Sequence, residues 1–453
     1  MKKLLILAYD FPPYVSVGGL RPYNWYRYLK EFGVEPIVVT RQWSNAHSNH
    51  LDYIAAGESD KTIVEQTAFG TILKTPYIPN FANRLLLKHG EKKYVIARKS
   101  VSAYYEFAQF LKPVGPKAEL YRAAREYLQN NKVDAIIATG DPFVLFSYAS
   151  KLSEEFGIPW IADYRDPWSH DEEHRKNIIQ KKWNSFFEKK TVSTASHIRT
   201  VSKFVHSKID RLIPNKEYSI TPNGYDTAVI DKIKSIPQNK EVFSISFVGT
   251  IYNWHPIESF LRVANDFVTA QPQAKIVFKF YGTNLTRELN RFVNEQFPNL
   301  KNHVVITPKI QNNELLEKLA ADNVMLLFNY YSYMGTKIFD YLGIRRKMIL
   351  CYEDDSEAKL LKQKYYNIEE SETESKHLQA DLIKETNSGV IVKDAAHLGE
   401  VLQELYTEFQ TTGKIACASV GVEKYSRKIQ VEKLAELVRH LDPSTGSGTS
   451  GSG

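Results

Sequence analysis

The sequence predicts an α/β protein with two doubly wound parallel sheets, and two observations lead to this prediction. Short, continuously apolar runs rich in β-branched residues alternate with amphipathic helical segments along most of the chain. Such runs are typical of strands that are buried on both faces of a parallel sheet. The alternation starts again after a polar, proline-containing stretch at residues 226–240, so we expect two domains.

Each half of the chain contains its own set of predicted strands. In the first half, a helix is also predicted over residues 21–32, closed by Gly33. The first set of strands is expected at residues 3–9, 34–40, 134–140, 158–163, 196–202 and 218–224. The second set is expected at residues 243–250, 275–282, 303–308, 323–330, 347–353 and 388–394.

These patterns define the expected domain boundaries. We expect an N-terminal domain over residues 1–225, interrupted at about 81–130 by a basic, aromatic, helical insert, and a C-terminal domain over residues 226–418. A helix over residues 419–443 follows the second sheet. Residues 444–453 contain only Ser, Thr and Gly, which predicts a flexible tail or an added linker.

Composition excludes several classes of protein. The 453 residues are 43% hydrophobic and 25% charged, which is unlike collagen, a coiled coil or a disordered chain. Two cysteines cannot form a disulfide scaffold, which favours a reducing cytoplasm. The net charge of +7 is too diffuse for a nucleic-acid partner. No apolar run is long enough to span a bilayer, so we expect a cytoplasmic protein or one bound peripherally to the inner face of the cell membrane.

The helical insert leaves two interpretations open. Its basic residues and aromatic residues would suit a helical surface that lies on an anionic membrane and meets a lipid-linked acceptor. The alternative is a solvated insert with an ordinary core-facing stripe. The residues in question are Arg84, Lys88, Lys92, Lys93, Arg98 and Lys99, with Phe81, Tyr94, Tyr104, Tyr105, Phe107 and Phe110.

Candidate ligand-binding residues in the first domain follow its strands. Gly18 and Gly19 lie between the first strand and the first helix, where a backbone can approach a ligand and N–H groups can meet an anion. The motif DYRDPW at residues 163–168 places Arg165 and Asp166 after another strand, and Asp141 follows a third. Ligands of open α/β sheets bind at this edge. The alternatives are a plain glycine turn and a self-satisfied Asp–Arg pair.

One further motif is rejected as a metal site. HDEEH at residues 170–174 matches a zinc pattern formally, but it follows a proline in an acidic stretch and lacks a remote third ligand. We expect a solvated surface segment and no metal.

The segment at residues 330–350 is the most informative of the second domain. Gly335 opens a predicted helix on which Lys337 and Asp340, three residues apart, share a face. Helix N–H groups and a lysine suit a phosphate, while a carboxylate can accept two hydrogen bonds from a ribose diol. An ordinary helix with an i,i+3 ion pair is the alternative.

Taken together, these motifs resemble retaining nucleotide-sugar glycosyltransferases of family 4, in a divergent branch of bacterial surface-polysaccharide assembly. The resemblance rests on the glycine loop, DYRDPW, TPNGYD at 221–226, FVGT at 247–250 and GTKIFDYLGIRRKMIL at 335–350. It implies the GT-B architecture, with two Rossmann-like domains facing across a cleft and a C-terminal helix that crosses back to the first domain. It also implies same-face attack by the acceptor, with the leaving phosphate taking the proton.

The resemblance implies roles for individual residues. Asp340 stands at the second acid of the family's Glu-x7-Glu motif, which holds the ribose, whereas the first acid is replaced by Ser332. The family's cations after the first strand of the second domain are missing, so Lys337, with Arg21 or Arg165, would supply the charge. The expected catalytic residues are Lys337, Asp141, Arg165 and Asp166. The expected substrate-binding residues are Gly18, Gly19, Arg21, Gly249, Thr250, Gly282, Ile310, Ser332, Tyr333, Gly335, Thr336 and Asp340.

The expected function is therefore transfer of a sugar from a nucleotide-diphospho-sugar, UDP- or GDP-linked, to a glycan or lipid-linked acceptor. No separate cofactor is expected. Two alternatives stay open. The missing acid and cations would also suit a nucleotide-sugar binding protein that has lost catalysis. A nucleotide-sugar epimerase shares the architecture, but it would be expected to carry a fuller set of catalytic acids and histidines.

Overall fold

The computed structural model describes residues 1–14, 16–43, 51–170, 178–370 and 373–441. The chain divides into two compact units, the first formed by Met1–Pro222 with the segment from Lys428 onward, and the second by Asn223–Arg427. The chain therefore passes from one unit to the other twice. The HDEEH motif, apart from His170, and the predicted C-terminal tail lie outside the described residues.

The first unit contains an eight-stranded sheet in the order β3-β4-β2-β1-β5-β6-β7-β8. All neighbouring strands are parallel except β3 and β4. Its strands are β1 (Lys2–Leu7), β2 (Val34–Arg41), β3 (Ile63–Gln66), β4 (Thr71–Thr75), β5 (Ala135–Gly140), β6 (Trp160–Tyr164), β7 (His197–Thr200) and β8 (Tyr218–Ile220).

Eight helices accompany this sheet in the described part of the unit. They are α1 (Val17–Tyr28), α2 (Phe81–His89), α3 (Val95–Leu111), α4 (Ala118–Asn130), α5 (Val144–Phe156), α6 (Ile178–Val192), α7 (Lys203–Asp210) and the C-terminal α16 (Arg427–His440). The apolar face of α16 joins the same core as β1, β2 and α1, through Val431, Leu434 and Val438. The last helix is thus part of the first unit, although its sequence follows the second sheet.

The second unit contains a six-stranded, fully parallel sheet in the order β11-β10-β9-β12-β13-β14. Its strands are β9 (Phe243–Val248), β10 (Ile276–Tyr281), β11 (Val304–Thr307), β12 (Val324–Phe328), β13 (Lys347–Cys351) and β14 (Gly389–Val392). Its helices are α8 (Thr227–Ile233), α9 (Ile257–Ala270), α10 (Thr286–Arg291), α11 (Asn312–Ala321), α12 (Lys337–Ile344), α13 (Ser356–Tyr365), α14 (Leu378–Thr386) and α15 (Ala395–Thr412).

The predicted fold class of two parallel-sheet α/β domains is confirmed. Each apolar run that was predicted as a strand forms one. In the second unit the central strands β9, β12 and β13 are almost entirely buried, with separate apolar clusters on the two sides of the sheet, whereas the edge strands β11 and β14 are mostly half-buried. The sequence did not indicate β3 and β4. Half-buried and exposed positions alternate in β3, which closes the edge of the sheet, and β4 is a short strand in which Lys74 follows only two apolar residues, so neither strand has the continuous apolar signal.

Two helix boundaries differ from the prediction. The first helix begins at Val17 rather than Arg21, because the Ser16 hydroxyl caps it by accepting a hydrogen bond from the Gly19 N–H at 2.9 Å. Gly18 and Gly19 therefore lie in its first turn. The C-terminal helix is preceded by a short 3-10 turn, Val422–Tyr425, which still packs in the core of the second unit.

A buried ion pair holds the interior of the first unit together. The Arg21 guanidinium on α1 donates to both carboxylate oxygens of Asp163 on β6, at 2.8 to 3.1 Å, and also to the carbonyl of Thr221 at 2.8 Å. Asp163 is fully buried and accepts a further hydrogen bond from the Thr139 hydroxyl at 3.0 Å. One side-chain pair thus fixes a helix and two strands to the segment that follows β8.

We expect Asp163→Ala to destabilise the first unit by about 3–5 kcal/mol, because it leaves the Arg21 charge buried without its partner. Urea unfolding followed by the fluorescence of the buried Trp25 and Trp160 would measure this. Glu155→Ala, which removes the exposed partner of Arg125 in the same unit, is the matched control and should change the unfolding midpoint very little. Equal effects of the two substitutions would contradict the structural role of Asp163.

Candidate functional site

The strand order of each sheet reverses at one point, and ligands of open α/β sheets bind outside the carboxyl ends of the strands at such a point. In the first unit the reversal lies between β1 and β5, and in the second unit it lies between β9 and β12. Most of the residues predicted from the sequence follow these strands or their immediate neighbours.

At the edge of the first unit, a glycine makes room for an arginine. A Cβ atom added to Gly18 would lie 2.2 Å from Nη1 of Arg165 and 3.0 Å from Oδ2 of Asp10. Arg165 donates through Nε to the carbonyl of Gly140 at 2.8 Å and through Nη2 to the carbonyl of Asp141 at 2.7 Å. The structure therefore brings Gly18, Asp141 and Arg165 together, with Nη1 of the arginine directed at the start of α1.

Two residues predicted at this edge already have hydrogen-bond partners within the protein. Arg21 was expected to bind the substrate, but it is only 8% exposed and its guanidinium is engaged by Asp163 and Thr221. It therefore serves the interior rather than a ligand. Gly18 and Gly19 were expected to let the backbone approach a ligand, with free N–H groups at the start of the helix that follows them. The helix instead includes both glycines, and the Gly19 N–H is bonded to the capping hydroxyl of Ser16. The remaining predicted residue, Asp166, is exposed beside the end of β6.

Sequence reasoning missed Asp10, which follows β1 at the same edge. Its Oδ2 accepts a hydrogen bond from the Ser16 hydroxyl at 2.7 Å, whereas its Oδ1 is buried without a hydrogen-bond partner among the described residues. Burial raises the pKa of the Asp10 carboxyl, and the Ser16 hydrogen bond and the Arg165 charge only partly oppose this. A carboxylate directly after the first strand was the available signal.

Aromatic rings line the same edge next to Asp10. Tyr14 is partly exposed and stacks on Trp43, with ring centroids 4.0 Å apart and an interplanar angle of 13°. The Arg41 guanidinium lies over Trp43 at 4.1 Å and over Tyr77 at 3.8 Å. Tyrosine and tryptophan after β1 and β2 could have been noticed in the sequence, because both follow predicted strands. Stacked rings beside carboxylates suit the face and the hydroxyls of a sugar.

At the edge of the second unit, Lys337 and Asp340 lie on the first turn of α12, which follows β12. Lys337 Nζ and Asp340 Oδ2 are 3.2 Å apart, and the two side chains are 32% and 12% exposed. Thr336 occupies the N-cap position, and its hydroxyl does not accept a hydrogen bond from the N–H groups of this turn. Gly335 precedes it, and a Cβ atom added there would lie 3.7 Å from the Tyr330 ring, which is an ordinary contact distance.

The loop after β9 flanks the reversal from the other side. Gly249 has a φ of +104°, a conformation that favours glycine, and its N–H donates to the carbonyl of Tyr281 at 3.0 Å. Thr250 beside it is exposed. Gly282 follows β10 with a φ of +61°, and Ile310 follows β11 at the rim of an apolar cluster. These four predicted residues therefore all follow strands at the carboxyl edge.

Ser332, which was expected to bind the substrate, lies at a buried position of the loop after β12. Ser332 is 1% exposed, and its N–H donates to the hydroxyl of Tyr366 at 3.3 Å. Its side chain is therefore not exposed to solvent in this structure. Tyr333 is half-buried, and its N–H donates to the carbonyl of Tyr330 at 3.1 Å. Buried positions in a long loop cannot be separated from exposed ones by sequence spacing, because a loop has no period.

The loop after β9 offers no positive charge at neutral pH. His255 is 2% exposed, its ring lies 5.3 Å from Phe328 and 5.2 Å from Tyr330, and burial lowers its pKa to about 3. Its Nε2 has no hydrogen-bond partner among the described residues. At the reversal in the second unit, Lys337 is therefore the cation among the residues predicted from the sequence.

No family model matches this chain, and no curated protein matches it. Solved structures do match. Sucrose-phosphate synthase from Thermosynechococcus elongatus is similar over 97% of this chain and 98% of its own, with a TM-score of 0.58 and 14% identity. The E. coli trehalose-6-phosphate protein bound with UDP-2-fluoro glucose is similar over 97% and 100%, with a TM-score of 0.59 and 11% identity.

A third structure, an α,α-trehalose-phosphate synthase (UDP-forming) from Burkholderia xenovorans in complex with glucose-6-phosphate, covers 96% of this chain and 100% of its own, with a TM-score of 0.54 and 10% identity. These similarities extend over both units and show the fold. The chain has the GT-B architecture, with two Rossmann-like α/β domains.

The described residues show neither a membrane-spanning helix nor a cluster of metal-binding side chains. No helix there combines the length and the apolar character that crossing a membrane requires. No three His, Cys, Asp or Glu side chains in the same part of the chain come together in the way that a metal site needs.

We expect Asp10→Asn to stabilise the protein at pH 7, because the folded state then no longer buries a charged carboxylate. A carboxyl whose pKa is raised by folding costs stability above that pKa and costs nothing below its unfolded pKa. The gain, about 1 kcal/mol, should therefore disappear as the pH falls toward 3. Denaturant unfolding at several pH values would measure it.

Asp60→Asn, at an exposed position outside the helices and strands of the same unit, is the matched control and should show no such gain. If Asp10→Asn is less stable than the wild type at pH 7, the folded protein stabilises the charged Asp10 carboxylate, and the prediction is wrong.

Proposed function

We propose that this protein is a retaining glycosyltransferase similar to family 4, which moves a sugar from a nucleoside-diphospho-sugar to an acceptor. The observation that carries the proposal is the position of Lys337 and Asp340. Both lie on the first turn of a helix at the strand-order reversal of the second sheet, where such folds bind nucleotides. A UDP-linked donor is favoured, because the E. coli neighbour is bound with UDP-2-fluoro glucose. A GDP-linked donor is the second choice.

The proposed donor site uses each group for what its chemistry allows. Asp340 accepts hydrogen bonds from the ribose hydroxyls, and Lys337 neutralises charge on the diphosphate. Gly249, Thr250 and Gly282 let the backbone approach the nucleotide. Because the charge on the diphosphate grows as it leaves, a fixed ammonium group stabilises the transition state more than the ground state. The His255 loop supplies no charge at neutral pH, so this role depends on Lys337.

The proposed acceptor site lies in the first unit. Arg165 is held by two backbone carbonyls and directs Nη1 at the start of α1, next to Asp10. Asp141 and Asp166 follow neighbouring strands and can accept hydrogen bonds from sugar hydroxyls, and the Tyr14 ring can support a sugar face. The Burkholderia neighbour was solved with glucose-6-phosphate.

We favour a glycan or lipid-linked acceptor in polysaccharide or glycolipid assembly, with the protein bound peripherally to the inner face of the membrane.

A binding protein without catalysis is the second candidate function. It is favoured by the burial of Ser332 at the position of the missing acid and by the neutral loop after β9. Both proposals predict donor binding, and only the first predicts turnover. Release of nucleoside diphosphate from the donor by purified protein would therefore separate them. A thermal-shift screen of UDP-, GDP-, ADP- and CMP-sugars would first identify the donor, since a hundredfold excess over the dissociation constant stabilises the fold by about 2.7 kcal/mol.

We expect Asp340→Ala to weaken donor binding by roughly ten- to a hundredfold, since losing a hydrogen bond to a charged group costs about 1.5–3 kcal/mol. Lys337→Ala should depress turnover more than binding, because the diphosphate charge develops in the transition state. Calorimetry of donor binding and single-turnover rates would measure the two effects.

The pair formed by Asp231 and Lys234 is the matched control. It lies in the same unit with the same i,i+3 spacing, at 2.9 Å, but both side chains are exposed. Asp231→Ala and Lys234→Ala should leave donor affinity and turnover unchanged. If Asp340→Ala folds and keeps wild-type donor affinity, Lys337 and Asp340 are only an ion pair and the site assignment is wrong.

A further inference from the structure

Exposed apolar side chains are concentrated on three helices of the first unit. About half of the large, exposed apolar side chains of the described chain lie within residues 78–111 and 178–186, on or next to α2, α3 and α6. Ile96 is 82% exposed, Ile178 is 75% exposed and Ile179 is 74% exposed. Single exposed apolar residues are common on protein surfaces, but a concentration of this kind marks an interaction surface.

The two longer helices, α3 and α6, are in direct contact through part of their apolar stripes. Phe107 on α3 meets Trp183 on α6 with ring centroids 5.4 Å apart, and Phe110 meets Phe187 at 5.7 Å. Ile96 lies three helical turns before Phe107 on the same face, and Ile179 lies one turn before Trp183. Both stripes therefore continue past the contact and end on side chains that are exposed to solvent.

These helices are also strongly basic. Residues 78–112 contain seven Lys or Arg against two Glu, and residues 178–192 contain four Lys against one Glu. That Glu, Glu188, is buried and accepts a hydrogen bond from the Tyr164 hydroxyl at 3.0 Å. Together the two segments have a net charge of +8, whereas the whole chain has +7. Essentially the entire excess of positive charge thus lies on the segments that expose the apolar side chains.

We propose that α2, α3 and α6 form a docking face for an anionic membrane. A basic surface with exposed isoleucine and aromatic side chains suits the headgroup region, where cations meet anionic lipids and apolar side chains enter the acyl boundary. The sequence pointed to the 81–130 segment, whereas the structure adds α6, whose Lys181 and Lys182 follow the exposed Ile178 and Ile179. The docking face would bring the protein to a lipid-linked acceptor. This link to an acceptor rests on the proposed function.

Vesicle flotation at low salt tests the face with the full-length protein and no donor. We expect binding to vesicles that contain phosphatidylglycerol, little binding to pure phosphatidylcholine, and release at high salt. Ile96→Ser and Ile179→Ser should each weaken binding about tenfold. Lys181→Gln and Lys182→Gln should each weaken it about fivefold, as expected for single cations near an anionic surface.

Matched controls come from the second unit. Leu360→Ser removes a side chain that is 66% exposed, and Lys232→Gln removes a cation on α8. Both should bind vesicles like the wild type. Circular dichroism and thermal unfolding would check that every variant is folded.

Several outcomes would overturn the proposal. One is that the protein does not bind anionic vesicles at low salt. Another is that all four variants of the face bind vesicles like the wild type. A third is that the protein binds duplex DNA and not vesicles. A concentration-dependent dimer that Ile96→Ser dissociates, without vesicle binding, would assign the face to a second copy of the chain instead. Donor affinity measured on the same variants should be unchanged. Vesicle binding by a protein that binds no nucleotide-sugar would contradict the proposed function and leave the docking face intact.

Discussion

The structure depends on one constraint, which is that parallel strands place all their carboxyl ends at the same edge of a sheet. When the strand order reverses, the loops on the two sides of the reversal diverge and leave a crevice. In the second unit this separates the Gly249 loop after β9 from the loop that leads to Lys337 after β12. In the first unit it separates Asp10 after β1 from Asp141 after β5. The candidate functional groups are gathered by topology rather than by closeness in sequence.

Two ion pairs between an aspartate and a cation show how burial changes the role of such a pair. Asp163 is fully buried, and its partner Arg21 is engaged through every part of its guanidinium, so this pair holds the interior. Lys337 keeps a third of its side chain exposed above Asp340, so its ammonium group can still meet a ligand. A buried pair costs desolvation that only good geometry offsets, whereas an edge pair can exchange partners with a nucleotide.

The sequence predicted the strands of both sheets well, because strands that are buried on both faces leave a continuous apolar signal. It failed where structure depends on one local contact. The Ser16 cap moved the start of α1 and used the Gly19 N–H, and tertiary pairing turned Arg21 from a candidate ligand into an interior cation. The sequence indicated that Ser332 lies in a loop after a strand, but it did not indicate that the side chain is buried. The position of a side chain on an edge could be predicted from order along the chain, whereas its partners could not.

Hydrogen exchange of the whole protein, with and without a saturating UDP-sugar, tests the central claim most directly. The claim is that a nucleoside-diphospho-sugar binds at the reversal between β9 and β12. It predicts protection of the amides at residues 249–251 and 335–340, while exchange on the outer helices of the second unit stays the same. If the donor stabilises the protein but protects neither segment, the nucleotide binds elsewhere. If none of the UDP-, GDP-, ADP- or CMP-sugars changes exchange anywhere, the proposed donor site does not exist.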